Sequence, residues 1–349
     1  MPAAASGGGG SFPARLDGRS SREAQFRQRS VGRQTGSRFP DAIKRTQMTA
    51  PSEPSTAGSP FDDLAVTVQL AEPLAVHTWL GIGGPAQFFC EPVNAAALAA
   101  VVARCHQRGI AVRVVGGGSN ILAPGEGVEA MVIRLSAPAF CGIEVDGQSV
   151  HAGAGAKLVH LVSASVQAGL SGLEDLVGIP GTVGGGLVGN AAAHGSNLGQ
   201  RIHSVGVMLA DGTTSERSRD SIDFASGWSS LDGSIVLSAR FDLDTDDPER
   251  LTKRMQKQWI VERSEQPSGT RTVAVMFKDP VGTTAESLIS QAGCRDLCVG
   301  GAAVYKPHAN YLVAEPGCSS GDVMKLIERV RTIVRDQLGV ELSPRIQVW

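Results

Sequence analysis

The sequence lacks most of the motifs that identify a chemistry at sight. It has no GxxxxGK[ST] phosphate loop and no GxGxxG after a strand, so it carries neither a P-loop nor a Rossmann-type dinucleotide fingerprint. None of the six cysteines forms a CxxC pair, and the seven histidines form no HExxH or HxH, so we expect no metal site. No apolar run approaches the roughly 18 residues needed to cross a bilayer, so we expect no membrane segment.

An excess of charge of either sign is also missing. The 32 basic and 34 acidic residues give a formal net charge of −2, which provides no electrostatic attraction to nucleic acid or to a membrane surface. A chain of 349 residues that is 42% hydrophobic suits a protein of two or three domains. The cysteines have apolar or small neighbours, which is typical of buried, reduced thiols and predicts a cytoplasmic protein; they are Cys90, Cys105, Cys141, Cys294, Cys298 and Cys318.

Residues 1–60 differ in composition from the rest. They are rich in Arg, Ser and Gly and poor in apolar residues, which predicts a disordered N-terminal extension. The segment has no apolar core of the signal-peptide type. It resembles an organelle transit peptide in composition, and a further interpretation is that translation starts at Met48 instead of Met1.

The folded part is predicted to mix helices and strands. Apolar spacing predicts a helix over 93–108 that ends at Gly109, followed by strands over 111–115 and 130–135. Asp146-Gly147 and Asp211-Gly212 each predict a two-residue hairpin turn.

Three further helices are predicted towards the C-terminus. One covers 251–265, with Met255, Trp259 and Val261 directed towards a core. Thr283 with Glu286 predicts a capping box for the second helix, and Ser319 with Asp322 predicts one for the third.

Two glycine-rich segments are the strongest pointers to function. Gly116–Asn120 (GGGSN) follows a predicted strand, and Gly178–Asn190 (GIPGTVGGGLVGN) has six glycines in thirteen residues. Such segments can offer successive backbone N–H groups to a pyrophosphate. The alternative is a tight glycine corner between packed elements. Two segments of this kind in one chain favour a bound dinucleotide.

A longer series of motifs resembles one known family. Gly83-Gly84-Pro85-Ala86, VVGGGSNIL, LVGIPGTVGGGLVGNAAAHG, Phe277-Lys278-Asp279-Pro280, GGAAVYKPHANYLV and GVELSP follow one another between about Leu74 and Ile346. In this order they resemble the UDP-N-acetylenolpyruvoylglucosamine reductases, flavoenzymes of peptidoglycan precursor synthesis.

The resemblance implies an α+β fold in three parts. These are an FAD-binding domain of the vanillyl-alcohol-oxidase (PCMH) type, with two α+β subdomains at 61–136 and 137–250, and an α+β substrate domain at 251–349. It implies that FAD takes a hydride from NADPH and passes it to the enolpyruvyl ether of a UDP-sugar, after which a side chain protonates the carbanion. The oligomeric state is left open.

The resemblance also assigns residues to the ligands. Lys278 and Asn310 are expected to bind the UDP-sugar. The residues expected to line FAD are Gly83, Gly84, Gly116, Gly117, Gly118, Ser119, Asn120, Gly178, Ile179, Pro180, Gly181, Thr182, Val183, Gly184, Gly185 and Asn190.

The sequence departs from the family where the family's catalytic side chains lie. Val275 takes the place of the serine that donates the proton, Arg345 takes the place of a glutamate, and Gly227 lies where a Tyr-Arg pair is expected. His194, Tyr305 and Asp279 are candidate substitute donors, as is a bound water. Three hypotheses follow: a reductase with a substitute donor, an FAD-binding relative with another redox substrate, or a flavin-binding protein without turnover.

Overall fold

The computed structural model describes residues 59–265 and 272–349. The disordered extension predicted for 1–60 therefore lies, apart from Ser59 and Pro60, outside the described residues. Within the described ranges no helix is both long and apolar enough to cross a membrane.

The first stretch forms a four-stranded sheet with one helix. Its elements are β1 (Val68–Pro73), β2 (Pro85–Cys90), α1 (Ala95–Arg108), β3 (Val112–Val115), β4 (Ile121–Leu122) and β5 (Val128–Arg134). The order in the sheet is β1-β2-β5-β3, with β5 parallel to both of its neighbours and β1 antiparallel to β2. Ala130–Ile133 of β5 are all buried, as expected for a parallel strand that is covered on both faces.

The ends of α1 confirm the predicted helix. The Asn94 side chain accepts the N–H of Ala97, so the helix begins two residues later than predicted. Gly109 ends it with φ of 66°, in the left-handed region where glycine carries no steric penalty.

The second stretch forms a five-stranded antiparallel sheet in the order β12-β11-β15-β7-β6. The elements in chain order are β6 (Ile143–Asp146), β7 (Ser149–Gly153), α2 (Leu158–Gln167), β8 (Leu170–Ser171), α3 (Val183–Val188), β9 (Ala192–Ala193), β10 (Ser196–Asn197), β11 (Ile202–Met208), β12 (Thr214–Ser218), β13 (Phe224–Ala225), β14 (Trp228–Ser229), β15 (Ile235–Asp242) and β16 (Asp244–Thr245).

Both predicted hairpins are present. In the first, Asp146 pairs with Ser149, so the turn is Gly147-Gln148, one residue later than predicted. Gly147 has φ of 60°, which a tight hairpin turn requires and glycine permits. In the second, Met208 pairs with Thr214, and the turn lies around Gly212.

The third stretch forms an antiparallel sheet in the order β17-β20-β19-β18. Its elements are α4 (Pro248–Glu265), β17 (Val273–Val275), α5 (Ala285–Gln291), β18 (Cys298–Val299), β19 (Ala302–Val304), β20 (Tyr311–Ala314), α6 (Ser320–Leu338) and β21 (Gln347–Val348). The last strand pairs with β4, so the C-terminus returns to the first stretch. Short 3₁₀ turns connect the elements at Leu74–His77, Pro138–Phe140, Glu174–Leu176, Leu198–Gln200, Arg219–Ser221 and Cys294–Asp296.

Two helix predictions need correction. The capping box of Ser319 with Asp322 is confirmed, but α5 is capped by Thr284, whose side chain accepts the N–H of Ser287, and not by Thr283. In α4 the predicted core residues Trp259 and Val261 are 44% and 37% exposed. Leu251 is the one buried residue among residues 248–264 of that helix, and at 3.6 residues per turn the other two lie about 80° to either side of it.

The hydrophobic core of the described residues has three clusters. One joins the first and second sheets, and a smaller one lies within the first stretch. Another fills the third sheet and α6, where Leu326 and Val330 are fully buried, and it includes Leu80, Ile82 and Leu122 of the first stretch. The division at 136 and 250 stays a prediction. Burial of the thiols is confirmed for Cys90, Cys105 and Cys294 but is wrong for Cys298, which is exposed.

Candidate active site

The two glycine-rich segments lie against each other. A Cβ atom on Gly117 would stand 2.7 Å from the Cα of Gly181, and one on Gly116 would stand 2.5 Å from Oγ1 of Thr182. The Ser119 hydroxyl donates to the carbonyl of Pro180 at 3.2 Å. Glycine is therefore required here because two backbone segments touch, and this contact forms a continuous wall.

The second segment is not a loop along its whole length. Val183–Val188 form the one-and-a-half-turn helix α3, and the side chain of Thr182 accepts the N–H of Gly185 at 3.4 Å. Its glycines pack closely: a Cβ on Gly184 would stand 2.9 Å from Cβ of Ala154, and one on Gly186 would stand 2.8 Å from Cδ1 of Leu198. The glycine-corner interpretation therefore holds for α3, while Gly178–Thr182 remain a loop.

A large cavity opens beside this wall. Its volume is about 1170 Å³, which exceeds the roughly 300–1,000 Å³ typical of small-molecule sites. The backbone N–H groups of Gly117, Gly118 and Ser119, which line it, donate to no acceptor among the residues that the structure describes.

The charges around the large cavity favour an anion. Its described lining contains four cationic side chains, Arg113, Arg134, Lys157 and Arg345, and one carboxylate, that of Asp232. A cleft lined by charges of one sign concentrates the opposite sign. The volume, the free N–H groups and this charge fit FAD and its pyrophosphate.

Most of the predicted cofactor residues line this cavity. Gly83, Gly84, Val183 and Asn190 do not. A Cβ on Gly84 would stand 2.2 Å from the carbonyl oxygen of Gly125, so this glycine serves backbone packing. The Asn190 side chain donates to the carbonyl of Ala225 at 3.0 Å and accepts the N–H of Gly199 at 3.2 Å. The residues that do line it are Gly116, Gly117, Gly118, Ser119, Asn120, Gly178, Ile179, Pro180, Gly181, Thr182, Gly184 and Gly185.

A second cavity of about 610 Å³ adjoins the first. The two linings share Trp79, Ser119, Ile179, Pro180, Val275 and Arg345. A molecule in the smaller cavity therefore lies next to a molecule in the larger one at the junction that these shared residues line. This is the arrangement that transfer between a cofactor and a substrate requires.

The three positions where the sequence departs from the family all lie at these cavities. Val275 and Arg345 line both, and Gly227 lines the larger one. Gly227 has φ of 65°, and a Cβ there would stand 2.9 Å from Cε of Lys278. The stem of Lys278 therefore covers Gly227, and Lys278 itself lines neither cavity.

The candidate substitute donors do not lie together. His194 and Asp279 line the smaller cavity, whereas Tyr305 lines neither. Oδ1 of Asp279 accepts the N–H of Ala285 at 2.8 Å, at the start of α5. Nε2 of His194 lies 3.7 Å from Oε2 of Glu262.

Asn310, predicted to bind substrate, lines the smaller cavity. Its side chain accepts the N–H of Phe277 at 3.0 Å and donates to the carbonyl of the same residue at 2.9 Å. It therefore holds the backbone at Phe277, which follows β17, next to the cavity.

Sequence reasoning missed several lining residues. Trp79 lies in both linings, and its backbone N–H donates to the carbonyl of Gly118 at 2.9 Å. His308 lines the smaller cavity, and its buried Nδ1 has no hydrogen-bond partner among the described residues. No local pattern marks either residue, because each reaches the site through tertiary packing.

Comparison with known proteins identifies the class and then the family. Residues 86–217 match the family model for an FAD binding domain, so the fold and the cavity define a flavoprotein of α+β type, as predicted. Residues 266–349 match the model for the C-terminal domain of UDP-N-acetylenolpyruvoylglucosamine reductase.

Individual relatives agree with both matches. The UDP-N-acetylenolpyruvoylglucosamine reductase of Rhodopirellula baltica is 40% identical over 86% of this chain and 98% of its own length. That of Heliobacterium modesticaldum is 36% identical over 79% of this chain and 89% of its own length. The crystal structure of the reductase (MurB) from Thermus caldophilus superposes with a TM-score of 0.70 at 32% identity, covering 81% of this chain and 98% of that one. The chain belongs to the UDP-N-acetylenolpyruvoylglucosamine reductase family.

Proposed function

We propose that this protein is an FAD-dependent reductase that uses NADPH to reduce the enolpyruvyl ether of a UDP-sugar to the lactyl ether of UDP-N-acetylmuramate. The observation that carries the proposal is the junction of the two cavities at Val275 and Arg345, in a chain of this family. The reaction belongs to peptidoglycan precursor synthesis, and we place it in the cytoplasm, where NADPH and UDP-sugars are available.

The larger cavity is the proposed FAD site. Gly117, Gly118 and Ser119 offer backbone N–H groups to the pyrophosphate, and Arg113 and Lys157 contribute positive charge. When bound, FAD supplies the hydride-transfer chemistry that no side chain of the protein can supply.

The smaller cavity is the proposed site of the enolpyruvyl group. After hydride addition the substrate needs one proton, and Val275 has none to give. Of the three candidate donors we propose His194. Tyr305 lies outside both cavities, and Oδ1 of Asp279 is already engaged by the backbone N–H of Ala285 at the start of α5.

The setting of His194 supports this choice. Its backbone has φ of 50°, a conformation that is uncommon outside glycine and that is concentrated at functional sites. The carboxylate of Glu262 lies 3.7 Å from Nε2 of His194, so it restricts the orientation of the imidazole at the smaller cavity.

The function is tested by NADPH oxidation with and without the UDP-enolpyruvyl sugar. We expect oxidation that depends on the sugar and forms UDP-N-acetylmuramate. NADPH oxidation that ignores the sugar would indicate another redox acceptor, and flavin that is never reduced by NADPH would indicate a protein without turnover. Either result contradicts the proposed function.

The donor is tested by His194→Gln. Loss of a general acid typically slows a reaction about 10²- to 10⁴-fold, and we expect the acceptor-dependent rate to fall in that range. His203→Gln is the matched control, because His203 also pairs with a carboxylate, that of Asp242 at 2.7 Å, but lines neither cavity. An acceptor-dependent rate in His194→Gln that stays within about twofold of wild type would exclude this donor.

A further inference from the structure

Arg345 is held firmly where the two cavities meet. Its backbone N–H donates to the carbonyl of Met276 at 2.8 Å, and its own carbonyl accepts from Nδ2 of Asn120 at 3.0 Å. The residue is half-buried and lies in both cavity linings together with Val275. Its backbone is therefore fixed between the third sheet and the first glycine segment.

The guanidinium of Arg345 has no carboxylate within 4.0 Å among the residues that the structure describes. A half-buried charge without a partner is unfavourable, because burial removes water that would otherwise solvate it. An anionic ligand in the cavity would supply the missing partner.

The other charged side chains of the smaller cavity's described lining, apart from histidine, are acidic. Its described lining holds the carboxylates of Glu262, Asp279 and Glu286, and Arg345 is the one Lys or Arg among the described residues of this lining. Oε2 of Glu262 faces His194 at 3.7 Å, and Oε1 of Glu286 lies 2.6 Å from Arg295. These carboxylates repel an anion, so the field in the cavity directs a negative group towards Arg345.

The site offers no cation at Gly227. The stem of Lys278 occupies the space that a side chain at 227 would enter, and Lys278 lies outside both linings. An acceptor whose carboxylate is bonded to the reacting carbon needs a cation next to the junction, and Arg345 provides it.

We propose that Arg345 binds the carboxylate of the enolpyruvyl group and thereby turns the acceptor's double bond towards the larger cavity. The planar guanidinium can hold both carboxylate oxygens at once, which fixes orientation as well as position. This inference rests on the proposed function, since it takes the acceptor from it.

The experiment measures binding and turnover separately in the FAD-loaded protein. Binding is followed by the change in flavin absorbance when the UDP-enolpyruvyl sugar is titrated in without NADPH. We expect Arg345→Gln to raise the dissociation constant about 10- to 100-fold, the range of a lost charge-assisted pair. The dissociation constant of Arg345→Lys should lie between those of Arg345→Gln and the wild type. Flavin reduction by NADPH alone is measured in the same variant to separate weaker acceptor binding from a change at the flavin, because Arg345 also lines the larger cavity. Arg329→Gln, at an exposed position of α6 outside both linings, is the matched control for the loss of one positive charge.

A modified ligand tests the carboxylate directly. The methyl ester of the enolpyruvyl carboxylate should bind the wild type about 10- to 100-fold more weakly than the acid, and Arg345→Gln should bind acid and ester equally. The comparison of acid with ester needs only the wild-type protein, so it tests the inference even if Arg345→Gln folds poorly. A wild type that reduces the sugar but does not discriminate between acid and ester would overturn the inference and leave the proposed function standing. A wild type that neither binds nor reduces the sugar would contradict both.

Discussion

Gly117→Ala is the sharpest probe of the wall between the glycine segments. The added Cβ would stand 2.7 Å from the Cα of Gly181, whereas ordinary contacts lie at 3.4–4 Å. The obstacle is backbone, so no side-chain rotation relieves the clash and the two segments must separate. Overpacking of this kind typically costs about 1–3 kcal/mol.

Separating the two glycine segments distorts the surface that lines the proposed FAD site. At about 1.4 kcal/mol per tenfold change, we expect the dissociation constant for FAD to rise roughly 5- to 150-fold. The assay is titration of the flavin-free protein with FAD, followed by the quenching of flavin fluorescence, with the thermal midpoint recorded in parallel.

Gly142→Ala is the matched control for this prediction. The substitution is chemically the same, but a Cβ on Gly142 meets no atom within 4 Å, so we expect FAD binding within about twofold of wild type. If Gly117→Ala binds FAD as tightly as the wild type does, or if both variants lose it equally, then the contact between the segments does not shape the site.

Two further predictions concern stability. Leu326 in α6 is fully buried, so Leu326→Ala should lower the free energy of unfolding by about 2–5 kcal/mol in urea titrations. Met324 on the same helix is 42% exposed, so Met324→Ala should change it by less than about 0.5 kcal/mol. Similar losses in the two variants would refute the assigned buried face of α6. The hydrogen bond from Arg104 lowers the pKa of Asp63 from 3.8 to about 2, so the pair stabilises the fold above about pH 4 and this contribution is lost as pH falls towards 2. Asp63→Asn should therefore flatten acid unfolding across that window, and an unchanged acid profile would show that this exposed pair contributes nothing.

Local sequence chemistry predicted the ends of several elements. Gly109 and the Ser319 capping box lie where their backbone and side-chain preferences place them, because caps depend on a few neighbouring residues. The two hairpins are present for the same reason, with one turn displaced by a single residue. These features need no tertiary information.

The predictions that were wrong concern features that tertiary contacts determine. Trp259 has helical spacing from Met255, but the face of α4 that is buried is set by what it packs against, and Trp259 faces the larger cavity instead. Val183–Val188 contain three glycines and still form a helix, which Thr182 caps. Glycine is needed at Gly184 and Gly186 because the close approach of Ala154 and Leu198 leaves no room for side chains. Asn190 has a polar side chain beside the glycines, yet its hydrogen bonds go to Ala225 and Gly199.

The candidate site was predicted in outline. The sequence predicted that both glycine segments bind one ligand, and in the structure both lie at one cavity. What it could not reveal is the second cavity and the junction, since Trp79, Val275 and Arg345 meet there from distant parts of the chain. The proposals for the carboxylate-binding cation Arg345 and the proton donor His194 both depend on this junction.

The most direct test of the account is a single turnover without oxygen. The FAD-loaded protein is bleached at its flavin absorbance band with one equivalent of NADPH and then mixed with the UDP-enolpyruvyl sugar. We predict that the absorbance returns and that one UDP-N-acetylmuramate forms per flavin. Absorbance that stays bleached in the presence of excess sugar would contradict the account.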